Sequence, residues 1–189
     1  TMSMTLNPVN EAAFQKAVQS LETLNRAAVF HPTGTGKSCI AWNVVEAHPQ
    51  TTFFWLVAGA QRLALRQAEL TRYNGGTLPG NVRFCDCEKL AAATPEQWVR
   101  LGEQKPGCIV LDCYHELSAV CWAQSVQKLL RMCPQAKVLG LGVPNGAPVC
   151  AAAQELFADC IVSHMTVAEA MAAGTMPVPS AYAALLYPQ

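Results

Sequence analysis

The chain has 189 residues, 51% hydrophobic and 14% charged, which suits one domain whose core is covered on two faces. Its 13 basic and 13 acidic residues cancel to a formal net charge of zero, which excludes a global basic field for nucleic acid or an acidic membrane surface. The longest apolar run, Phe53 to Ala60, falls far short of the roughly 20 residues that cross a bilayer, so a soluble protein without a membrane partner is expected.

In chain order, an amphipathic helix is predicted over 10–25, with Ala13, Phe14, Ala17, Val18 and Leu21 on one face. Short apolar runs at 26–30, 51–58, 82–85, 108–112 and 137–142 read as strands. Helical patterns separate them, the third of these running unbroken from Cys87 to Gln104. Beyond 147 the sequence predicts a helix, a short strand, a second helix closed by Gly174 and a proline-rich tail. Strands apolar on both faces and alternating with helices predict an α/β fold, a parallel sheet layered between helices and joined by right-handed crossovers. The expected organisation is a single domain over 1–189, with an N-terminal helix (10–25), a core (26–145) and a C-terminal helical extension (147–189). Ligands of such sheets sit at the carboxyl ends of the strands.

Nine cysteines, an odd number, are scattered through apolar runs without the paired spacing of a zinc site. Reduced thiols in a cytoplasmic protein are expected. The continuous Phe53, Phe54 and Trp55 are β-prone and read as core rather than as a base-stacking platform.

One motif carries chemistry. Directly after the first strand stands "HPTGTGKS", His31 to Ser38, and directly after it a helix begins. Gly34 and Gly36 let successive backbone N–H groups turn inward as an anion nest, to which the helix adds its positive end. In such a loop Lys37 reaches the β- and γ-phosphates of a nucleotide, and the Ser38 hydroxyl takes a position on Mg²⁺. The strict G-x-x-x-x-G-K-[ST] pattern asks for glycine where this chain has His31.

The loop "PTGTGKS" resembles motif I of superfamily 2 helicases and translocases, the DEAD/DEAH-like group that includes restriction-enzyme motors. "FFWLVAGAQRLALRQAEL" is similar to motif Ia, "IVLDCYHE" to motif II and "AKVLGLGVPNG" to motif III, in the family's order. "ELFADCIVSHMTVAEAMAAGTMPVPSAY" is similar to the segment after motif III in a bacterial subgroup. The resemblance implies a three-layer RecA-like P-loop NTPase domain, the first of two motor lobes, with ATP and Mg²⁺ as cofactors. It implies that Pro32, Thr33, Gly34, Thr35, Gly36, Lys37 and Ser38 bind the nucleotide and that Ser38 and Asp112 hold Mg²⁺. It further implies that Arg62 or Arg66 touches a DNA or RNA backbone, and that His115 links the nucleotide to motif III. The arginine fingers would come from a second RecA-like lobe of the parent protein or a partner, the chain being expected to be an excised piece or a regulatory pseudo-motor.

Two departures stand out. Motif II is typically D-E-x-H, its glutamate orienting the attacking water; Asp112 and His115 match, but Cys113 replaces the glutamate. A thiol beside Asp112 and a triphosphate has a raised pKa and makes a poor base. Motif III usually carries hydroxyls, and "GVPN" (142–145) has none. "NPVNEAAF" stands where an adenine-reading glutamine motif would be, with Val9 and Asn10 in place of the usual residues, so adenine selectivity stays open.

The leading expectation is an ATP-binding helicase-like domain with impaired hydrolysis. The alternatives are an active motor lobe using another acid, of which Glu116 is the nearest, and a non-enzymatic interaction module that kept the RecA-like shape.

Overall fold

The structure is a computed structural model that describes residues 5–144 and 151–176. Helix α1 (Pro8–Thr23) leads into β1 (Arg26–Phe30), and the phosphate-type loop joins β1 to α2 (Lys37–Ala47). Then follow β2 (Phe53–Val57), α3 (Ala60–Tyr73), β3 (Val82–Asp86), α4 (Cys87–Ala91), α5 (Pro95–Glu103) and β4 (Cys108–Asp112). A single 3₁₀ turn, Tyr114–Glu116, leads to α6 (Ala119–Cys121), a π-helical turn (Trp122–Val126) and α7 (Gln127–Met132). Last come β5 (Lys137–Gly142), α8 (Ala151–Phe157), β6 (Ile161–His164) and α9 (Val167–Ala172).

The six strands form one sheet in the order β3-β2-β4-β5-β1-β6. Every recorded pairing is parallel. The predicted parallel α/β sandwich is therefore what the chain adopts. Alternation along each strand sorts the core into two faces, because successive side chains point to opposite sides. Ala27, Val29, Phe53, Trp55, Val57, Cys108 and Val110 pack with α1 and α2 on one face. Ala28, Phe54, Leu56, Ile109, Leu111 and Val138 pack on the other face with residues of α6, α7 and α8. All five residues of β2 and of β4 are buried, which is why their sequences run apolar rather than alternating, up to Asp112 at the end of β4.

Helix starts follow local chemistry. Asn7 caps α1, its side chain accepting from the Asn10 N–H at 2.9 Å, with Pro8 at the first helical position. Thr94 and Gln97 form a capping box on α5, as Thr166 and Glu169 do on α9. The helix predicted from Cys87 to Gln104 is two helices, α4 and α5. Pro95 disfavours helical backbone at Thr94, and the Thr94 hydroxyl caps a new helix instead. Gly174 closes α9 with φ +66°, as its sequence position suggests.

The region read as a C-terminal helical extension supplies a strand. β6 lies beside β1, with Phe30 opposite His164. Gly140 on β5 accommodates α8: a Cβ there would stand 2.6 Å from the Phe157 ring. Asn145 of the motif III segment, the rest of 145–150 and the tail 177–189 lie outside the described residues. No helix among the described residues is long and apolar enough to cross a membrane.

Candidate functional site

The loop after β1 and the end of β4 meet at the carboxyl edge of the sheet, with β5 between their strands. Gly34 and Gly36 take φ of +85° and +87°, backbone that L side chains rarely adopt, and Gly36 is also the N-cap of α2. The Thr35 N–H faces the Pro32 carbonyl across the turn at Thr33–Gly34, and the other backbone N–H groups from Thr33 through Ser38 make no protein hydrogen bond among the described residues. The glycine conformations are those an anion nest uses, and the loop stands at the positive end of an 11-residue helix.

Side chains brace this loop from within. Thr35 is buried and its hydroxyl donates to the Pro32 carbonyl at 2.8 Å. Lys37 Nζ donates to the carbonyls of His31 and Pro32 at 2.7 and 2.8 Å, folded along the loop, and burial holds its pKa below the usual lysine range. Asn10 of α1 donates from Nδ2 to the Thr35 carbonyl at 2.8 Å. A Cβ on Gly36 would stand 2.9 Å from that Nδ2 and displace Asn10 from its bond, while the positive φ favours glycine there by conformation. Ser38 stands on the first turn of α2 beside Lys37.

His31, at the position where the strict motif has glycine, is fully buried. Its Nε2 lies 2.8 Å from Ser163 Oγ on β6, and its Nδ1 has no partner among the described residues. Burial first, then the charges of Lys37 and His164, lower its pKa to about 4, so the ring is neutral near pH 7. Neither Asn10 nor Ser163 carried a structural role in the sequence reading. A polar residue on the buried face of an amphipathic helix, as Asn10 is, was the available signal for the first.

Asp112 ends β4 and is 2% exposed. Its Oδ2 accepts from Trp55 Nε1 at 3.0 Å and from Arg66 Nε at 2.6 Å. Trp55 and Asp112 share a sheet face, and α3 carries Arg66 over it. Glu69, three residues along α3, holds the far side of the guanidinium. Burial opposes the charge on Arg66, but Asp112 and Glu69 outweigh it and raise its pKa. Trp55 is thus core, as its apolar surroundings predict, and a hydrogen-bond donor besides.

Cys113 sits in left-handed backbone at φ +54°, an uncommon conformation for a side-chain-bearing residue. Burial, then the Asp112 charge, push its thiol up to about 11, so it is protonated at neutral pH. The direction agrees with the sequence argument; the leading cause is burial rather than the neighbouring charge. His115 Nε2 lies 3.5 Å from Glu116 Oε1, and its buried Nδ1 has no partner among the described residues. Burial lowers its pKa. Glu116 is ion-paired with Arg62. It therefore faces α3 rather than standing in for the missing glutamate.

The structure gathers the loop, Asp112, Cys113 and Arg66 at one edge. A cleft of about 140 Å³ beside them is lined by residues that include Arg62, Arg66, Asp112 and Cys113. A larger cleft, about 620 Å³, lies at the opposite edge near Trp42, Asn74 and Asn81, and none of the candidate residues lines it. Mg²⁺ demands hard oxygen ligands in near-octahedral geometry. Ser38 supplies a hydroxyl, but Asp112 Oδ2 is already held by Trp55 and Arg66, so as folded that carboxylate oxygen does not fit the ion.

No protein-family profile and no curated protein sequence matches the chain. Solved structures do. The ATP-dependent Type ISP restriction-modification enzyme LlaBIII, bound to DNA, superposes with a TM-score of 0.64 at 12% identity, over 89% of this chain and 16% of that one. The replication initiator DnaA, bound to AMPPCP and single-stranded DNA, gives 0.49 at 12% identity, over 88% of this chain and 49% of its own. The chain spans less than half the length of either. At such identity the first likeness speaks for the fold alone, a three-layer α/β fold with a parallel sheet between helices.

Proposed function

We propose that this domain binds ATP through its phosphates and hydrolyses it poorly or not at all. The observation that carries the reading is the loop from Thr33 to Ser38, with Gly34 and Gly36 at positive φ and most of its N–H groups free of protein acceptors at the N-terminus of α2. Glycines with positive φ at the N-terminus of a helix shape such a loop for an anion. Pro32 to Ser38 form the nucleotide-binding loop in this proposal, with Lys37 swinging from its loop carbonyls onto the β- and γ-phosphates.

The hydrolytic side is weak. A thiol pushed up to about 11 takes no proton from water at neutral pH, and Glu116 is engaged by Arg62. Loss of a positioned general base costs about 10² to 10⁴ in rate. Asp112 and His115 remain at the motif II positions as a scaffold rather than an active pair. We extend the proposal to a nucleic-acid partner and a second RecA-like lobe, for which the half-exposed Arg62 at the mouth of the cleft supports a backbone contact. Arg66, turned onto Asp112, fits that role less well.

Equilibrium titration with ATP tests the nucleotide reading. Saturable binding that Lys37→Ala abolishes supports it, and the absence of binding at millimolar ATP refutes it. An interaction module that kept only the shape gives the second result.

A further inference from the structure

We propose that the Arg66 guanidinium is the built-in counter-cation of this site: it holds the place at Asp112 that a divalent ion would take, so nucleotide phosphates bind without Mg²⁺. The inference rests on the nucleotide reading above and deepens it.

Geometry fixes the guanidinium in place. Arg66 Nε approaches Asp112 Oδ2 to 2.6 Å, and the carboxylate is 2% exposed. The Arg66 side chain is itself 19% exposed, and Glu69 pins its other edge from the same helix. Trp55 donates to the same Asp112 oxygen at 3.0 Å from the fully buried β2. That leaves the carboxylate little freedom to swing toward another ligand. An ion arriving at Asp112 has to break a desolvated, charge-assisted pair and leave the arginine without its partner, which is the costly way to disturb such a pair.

The charges agree with this geometry. A site with two adjacent carboxylates repels a polyphosphate until a divalent cation neutralises them. Here Cys113 stands where a second motif II carboxylate would, and Asp112 has Lys37 and Arg66 as its neighbouring cations. Glu69 balances part of this from the outer side of Arg66, where its side chain is 46% exposed. The two cations and two carboxylates balance, and with Glu69 on the outer side a phosphate entering beside Lys37 meets Lys37 and Arg66 without a metal. The Cys113 substitution removes an acidic group beside Asp112, and the Arg66 contact occupies the Asp112 oxygen itself.

Two measurements on the whole chain decide the matter. In calorimetric ATP titrations, the wild type is expected to bind within about threefold as tightly in EDTA as in millimolar Mg²⁺. Arg66→Gln is expected to lose about tenfold or more in EDTA and to regain it with Mg²⁺, while Arg66→Lys, keeping the charge, retains most of the metal-free affinity. Mg²⁺ tightening wild-type binding tenfold or more overturns the proposal while leaving the nucleotide reading intact. The second measurement needs no nucleotide: titration with Mn²⁺ followed by electron paramagnetic resonance. Wild type is expected to bind no Mn²⁺ at submillimolar concentration and Arg66→Gln to bind one ion that Asp112→Asn removes. Wild-type Mn²⁺ binding that Asp112→Asn abolishes overturns the proposal even if ATP fails to bind in either condition, a failure that would count against the nucleotide reading alone. Thermal unfolding of each variant checks that it is folded.

Discussion

Trp55 Nε1 donates to Asp112 Oδ2 across 3.0 Å, linking the middle of β2 to the end of β4 inside the sheet's most buried strands. A core tryptophan therefore fixes the orientation of the acidic side chain on which the site is built. Trp55→Phe keeps most of the apolar volume and deletes the donor. Loss of a buried bond to a charged acceptor is expected to cost about 2 kcal/mol in urea unfolding. A change below about 0.5 kcal/mol would show that this hydrogen bond holds nothing.

The neutral, buried His31 makes a signed prediction about pH. Its folded pKa, about 4, lies below the unfolded value of 6.5, so between these limits the unfolded chain binds the proton and the folded one does not. Stability contributed by the unprotonated ring is fully present above pH 6.5 and is lost as pH falls toward 4, by up to about 3 kcal/mol. His31→Asn is expected to lessen the acid sensitivity of the urea midpoint across that window. Parallel pH profiles for variant and wild type would contradict the assignment.

Gly140 tests how α8 docks. Alanine there places a methyl carbon 2.6 Å from the Phe157 ring, and since the clash is with a ring packed on the sheet, destabilisation of about 1–3 kcal/mol is expected. Trimming the partner should relieve it, so Gly140→Ala with Phe157→Leu is expected to cost less than the sum of the singles. Strict additivity would mean that the two positions do not meet.

Much of this architecture is legible in the sequence because it is local. The five core strands announce themselves as apolar runs, and the glycines and lysine of the loop specify a strand-to-helix anion nest at their own positions. Asp112 is legible as an acid ending a strand. What escapes is set by distant segments meeting. The Arg66–Asp112 pair spans 46 residues and depends on how α3 lies over β2 and β4. The His31–Ser163 contact spans 132 residues and depends on β6 joining the sheet beside β1. Arg66 reads from sequence as a solvent-facing contact for phosphate backbone, since nothing local tells it from Arg62. By contrast, the break between α4 and α5 was written in Thr94 and Pro95 and was obscured only by the helical periodicity on either side.

Cys113→Glu probes the hydrolytic side of the site. Restoring the carboxylate is expected to raise phosphate release from ATP above the wild-type level, most clearly in the presence of any second lobe, by up to about 10²-fold. The left-handed backbone at 113 is no harder on glutamate than on cysteine, so the variant should fold. Equal release from wild type and variant would show that Cys113 is not what limits the chemistry.

The central claim, nucleotide held and not consumed, is tested most directly by phosphorus NMR of ATP incubated with the whole chain. The account predicts that the phosphate resonances broaden or shift, that Lys37→Ala restores their free positions, and that no inorganic phosphate accumulates. Unchanged resonances at millimolar ATP would contradict binding, and phosphate released at roughly once per second or faster would contradict the loss of hydrolysis.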